Sequence, residues 1–99
     1  MNNFIESLKN YSSSKGYEQV EEEGYDLVMQ KPVDDHSFKI SVSKESYAKG
    51  LFSLQILNSE QKVVSFANMR TAEFMDFNDL LDVSFENLYE NVKPKERTV

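Results

Sequence analysis

Ninety-nine residues, 39% hydrophobic and 28% charged with seven Phe and five Tyr, describe one folded domain too rich in aromatics to be a disordered chain. A net charge of −6 argues against ordinary nucleic-acid binding, and the absence of cysteine excludes disulfides and thiolate metal sites. No apolar run is long enough to span a membrane, and the stretch Met1–Glu6 lacks the basic and apolar regions of a secretory signal, so a cytoplasmic location is expected.

Residues 3–15 predict a first helix. Asn3 and Glu6 have capping-box spacing, and Phe4, Ile5, Leu8 and Tyr11 share one arc. Gly16 suits a left-handed terminator. Tyr17–Gly24 reads as a solvated loop, because Glu21, Glu22 and Glu23 repel one another, although Tyr17 and Val20 would also fit a short strand.

Four strands are expected next. Tyr25, Leu27 and Met29 alternate with polar residues until Pro32 ends the run. Phe38, Ile40 and Val42 alternate with Lys39, Ser41 and Ser43. After a turn-like Lys44–Gly50, the central Leu51–Leu57 puts Phe52, Leu54 and Ile56 on one face. Lys62–Asn68 places Val64 and Phe66 together. Short connections require an antiparallel meander. Setting Leu54 opposite Phe66 and Ile56 opposite Val64 requires an odd-numbered loop, Ser59–Gln61, and makes Phe66 a core residue. The opposite face, with Lys39, Ser41, Ser53, Gln55 and Ser65, is expected to be wet.

Residues 76–92, with a start as early as Thr71 also compatible, predict the last helix. Asp76 suits its cap and Met75–Leu80 its staple, while Phe77, Leu81, Phe85, Leu88 and Val92 line its apolar face. Pro94 stops it, leaving residues 94–99 as a tail to a single domain over 1–93. The fold class is α+β: a four-stranded antiparallel meander with the N- and C-terminal helices packed on one face.

Chemistry-bearing patterns are scarce. His36 is the only histidine, beside Asp34 and Asp35, and reads as part of a solvated turn. The serines sit in no nucleophile elbow, and three dispersed glycines build no phosphate loop. No catalytic, cofactor or metal residues are assigned, and no enzyme is expected.

The strongest pattern is a row of acids on the last helix, Asp79, Asp82, Glu86 and Glu90, within residues 71–92 that hold six acids and no base. Helices usually interleave both signs, so a one-signed face suggests a basic protein partner. The expected function is therefore a small regulatory module that binds protein through this helix or through an open sheet edge. It neither contacts nucleic acid nor enters a membrane, and either of the candidate edge strands, Tyr25–Gln30 or Lys62–Asn68, could pair across a two-fold axis to give a homodimer. The alternative is a nucleic-acid mimic, phage- or mobile-element-encoded, that blocks a DNA- or RNA-handling enzyme. It requires Glu21–Glu23 to join the helix row on one surface.

Overall fold

The computed structural model describes residues 3–92 and shows an α+β fold, a five-stranded antiparallel open sheet with helices at both ends of the chain. In chain order the elements are α1 (Asn3–Ser14), β1 (Glu18–Gln19), β2 (Tyr25–Val33), β3 (His36–Ser43), α2 (Lys44–Ala48), β4 (Leu51–Leu57), β5 (Val63–Arg70), α3 (Thr71–Asp76) and α4 (Leu80–Glu90). The strands lie side by side in sequence order. The expected count of four becomes five because Glu18 and Gln19, assigned to a loop, pair with Gln30 and Met29.

Helix α1 buries Phe4 and Leu8. It ends where Gly16 takes a φ of 94°, letting the N–H groups of Tyr17 and Gly16 reach the carbonyls of Ser12 and Ser13 at 3.0 and 3.2 Å. That termination needs a residue without Cβ strain, and it swings Tyr17 into the core.

Strand β2 runs through Pro32 instead of stopping there, with Pro32 opposite Ser37. The Val20 N–H donates to the Val28 carbonyl, so Val28, Gln30 and Pro32 direct their backbone groups toward β1. At Pro32 β1 has already ended, so the missing N–H falls where no ladder bond is needed. A two-residue turn at Asp34 and Asp35, with Asp34 at a φ of 54°, leads into β3.

The β4–β5 hairpin keeps the expected loop but not the expected pairing. Its turn does enclose three residues: the Asn58 N–H donates to the Lys62 carbonyl at 2.9 Å, and Gln61 is left-handed at a φ of 64°. The Asn58 side-chain oxygen also accepts from the N–H groups of Glu60 and Lys62. Past the Leu57–Val63 pair, however, the register shifts, and the partners become Ile56 with Ser65, Leu54 with Ala67, and Phe52 with Met69. The extra residue is a β-bulge, and it turns every later side chain of β5 to the other face. Phe66 is not core: it lies opposite Gln55, 67% exposed, while Ala67 and Met69 face the helices.

Two helical expectations are also corrected. Lys44–Ala48, read as a turn, forms α2, capped where the Ser46 N–H donates to Ser43 Oγ at 3.1 Å. The last helix does start at Thr71 but breaks into α3 and α4, because the Asn78 side-chain amide donates to the Phe74 carbonyl at 2.8 Å. Asp76 therefore closes α3 instead of capping a helix, Phe77 at the break is 68% exposed, and Phe74 enters the core in its place. Residues 94–99, expected as a tail, lie outside the described residues.

One core joins Phe4, Leu8, Leu81, Phe85 and Leu88 of α1 and α4 to Met29, Ile40, Leu54, Ile56 and their neighbours on one face of the sheet. The Phe85 ring lies parallel to that of Phe38 at 4.8 Å, and Phe4, Phe52 and Phe74 meet edge-on or tilted. The far face is only partly wet. Val28, Ser41 and Leu57 are buried there, Glu22 reaches Lys39 at 3.0 Å, and Ser65 belongs instead to the helix side.

Candidate functional site

The acidic row does not stand clear of the molecule. Tyr11 of α1 donates its phenolic hydrogen to Asp82 at 2.6 Å and approaches Asp79 at 3.3 Å, and Lys15 lies 3.6 Å from Asp82. Burial, reinforced by the two carboxylates, holds the Tyr11 phenol well above the ordinary tyrosine range. Burial does the same for Tyr17, with Asp82 adding to it. Half of the row thus fastens α4 to α1. Glu86 and Glu90 are exposed, with Glu86 at the rim of a cleft.

That cleft, of about 310 Å³, has Tyr17, Phe38 and Phe85 for its floor and Lys15, Lys31, Asp82 and Glu86 around its mouth. Lys31 lies along Gly16 and holds its ammonium 5.4 Å from the Tyr17 ring centre. Among the residues lining it, no nucleophile is held against a base.

His36 proves not to be in a solvated turn. It opens β3, half-buried, with its ring edge against Tyr89 at 5.6 Å. The Tyr89 hydroxyl donates to Asp34 at 2.9 Å, tying the end of α4 to the β2–β3 turn. Among the described residues no three His, Cys, Asp or Glu side chains gather as metal ligands, and no helix is long and apolar enough to cross a membrane.

Sequence reading allows Lys62–Asn68 as a sheet edge, and β5 is one; what it missed is which side chains that edge exposes. The Thr71 N–H donates to the Gly50 carbonyl at 2.9 Å, which fixes the phase of the ladder: Ser65, Ala67 and Met69 bond toward β4. Phe66, Asn68 and Arg70 therefore point their N–H and C=O groups outward, where no described strand adjoins β5 in the sheet. Val63 and Val64, 47% and 42% exposed, continue the apolar surface begun by Phe66. The one signal for this in the sequence is the doublet Val63–Val64, which breaks alternation where the bulge forms. β5 contains no carboxylate; Arg70 holds Glu73 at 3.0 Å beyond one end, and Lys62 holds Glu60 at 3.6 Å beyond the other.

No family model, curated protein or solved structure matches this chain.

Proposed function

We propose that this protein is a non-catalytic binding module that recognises another polypeptide by strand addition along β5. The observation that carries this reading is Phe66. A large aromatic, 67% exposed, stands on an edge strand whose backbone donors and acceptors face outward. Edge strands left this way invite another chain, and natural proteins usually protect them with inward charges, proline or a covering segment. Between Val63 and Arg70 the only charge is the terminal Arg70, and there is no proline. Strand addition draws affinity from main-chain hydrogen bonds and selectivity from alternate side chains, which here means Phe66 with Val63 and Val64.

The edge is favoured over the acidic helix because Asp79 and Asp82 already accept from Tyr11. It is favoured over nucleic-acid mimicry because Glu22, which that reading needs beside the helix row, instead pairs with Lys39 on the face of the sheet away from α4. The test is capture from lysate at low salt by the native chain, by Phe66→Lys and by Asp82→Lys/Glu86→Lys. Binding lost with Phe66→Lys and kept by the helix variant is the expected result. The reverse pattern would restore the acidic face and its basic partner.

A further inference from the structure

We infer that the chain that covers β5 is a second copy of this protein, paired antiparallel about a two-fold axis at Ala67. The inference rests on the strand-addition reading above and names its occupant. A two-fold perpendicular to a continuous sheet keeps each side chain on its own face, so β5 residues must pair with an even index sum. The bulge at Val64 confines the regular outward ladder to Phe66, Asn68 and Arg70. With the axis at Ala67, Phe66 and Asn68 of one copy exchange N–H···O=C bonds with Asn68 and Phe66 of the other.

Three consequences favour this register. The two Phe66 rings fall on diagonal positions of one face, about 7–8 Å apart along the backbone and within reach of each other. Ala67 meets its twin in the narrower kind of pair, with Cα atoms about 4.5 Å apart, where a small side chain fits well. Arg70 lies opposite Val64 of the second copy, and the first turn of α3 carries Glu73 past that copy's Lys62. An acid and a base then meet at both ends of the doubled strand. An axis at Phe66 would instead set Arg70 against Lys62.

The experiment uses the intact chain in sedimentation equilibrium across micromolar to millimolar concentrations, with crosslinking of single-cysteine variants. The protein has no cysteine, so each variant carries one thiol. The native chain sediments with the mass of two copies. Phe66→Lys sediments as one copy while keeping its circular dichroism, and Val20→Lys, altering an exposed apolar side chain next to β1 at the opposite edge of the sheet, stays dimeric. Ala67→Cys oxidises to a disulfide-linked dimer because roughly 4.4–6.8 Å between Cα atoms suits the bond. Glu45→Cys on α2 does not.

A native chain that remains monomeric throughout overturns the inference, as does a dimer indifferent to Phe66→Lys or one crosslinked by Cys at 45 instead of 67. A monomer that still captures other proteins in a Phe66-dependent manner sinks the self-pairing alone. A monomer that captures nothing through Phe66 sinks the strand-addition reading with it.

Discussion

Tyr11 shows how a residue placed on an apolar arc can determine the meaning of a charged row elsewhere. Its ring meets Phe74 edge-on at 5.7 Å, and its hydroxyl ends between Asp82 and Asp79. Burial disfavours ionising that phenol, and a third negative charge beside two carboxylates disfavours it further, so its pKa stands above the ordinary 10.0. Tyr17 is shifted the same way, chiefly by burial. Above the ordinary value the unfolded chain loses these protons and the folded chain keeps them, so stability present below that pH is lost as pH rises. Urea midpoints measured from about pH 9 to about pH 11 should fall steadily, and in Tyr11→Phe the fall should be shallower. Absorbance at alkaline pH should show the phenols of Tyr11 and Tyr17 ionising only with unfolding. An equally steep fall in the variant would mean that Tyr11 does not keep its proton in the fold.

At the scale of elements, helices and strands arise from periodicity, and errors arise where one extra residue or one side-chain hydrogen bond intervenes. The strands at 38–43 and 51–57, the first helix with its Gly16 terminator and the three-residue β4–β5 turn were legible because each depends on local pattern. The bulge was not, since both phases of β5 are compatible with its residues: Val64 and Phe66 are the larger pair, yet Ala67 and Met69 are the ones the sheet turns inward. Likewise the period of Phe77, Leu81 and Phe85 is continuous in sequence but interrupted in space by Asn78 taking the Phe74 carbonyl. Of the candidate site, the acidic helix and the edge position of Lys62–Asn68 were visible, and the exposure of Phe66 on that edge was hidden behind the register. The register makes a measurable difference. Phe85→Ala, emptying a buried position stacked on Phe38, should cost about 3–5 kcal/mol in chemical denaturation. Phe66→Ala should change monomer stability by less than about 0.5 kcal/mol. Comparable losses at the two positions would put Phe66 back in the core.

For the molecule as a whole, charge is distributed so that one edge is suited to self-contact although the total opposes it. The chain carries −6, and two copies brought together double that charge at close range. The acids concentrate in Glu21–Glu23 and residues 71–92, whereas Val63–Arg70 has none, so β5 is where a second copy meets the least repulsion. Two electrostatic effects then compete as salt is added. Ion pairs at the rim, such as Glu73 with Lys62 of the second copy, weaken, but exposed pairs contribute only about 0–1 kcal/mol each. Repulsion between the net charges acts over longer distances and is screened once the Debye length shrinks to about 10 Å near 0.1 M. The second effect should win, because the contact itself is made of backbone hydrogen bonds and the Phe66 pair, neither of which depends on ionic strength to this degree. Self-association measured by sedimentation should therefore tighten between low and physiological salt. Weakening over the same range would mean that charge attraction holds the copies together, and would return attention to the acidic row of α4 as the contact surface.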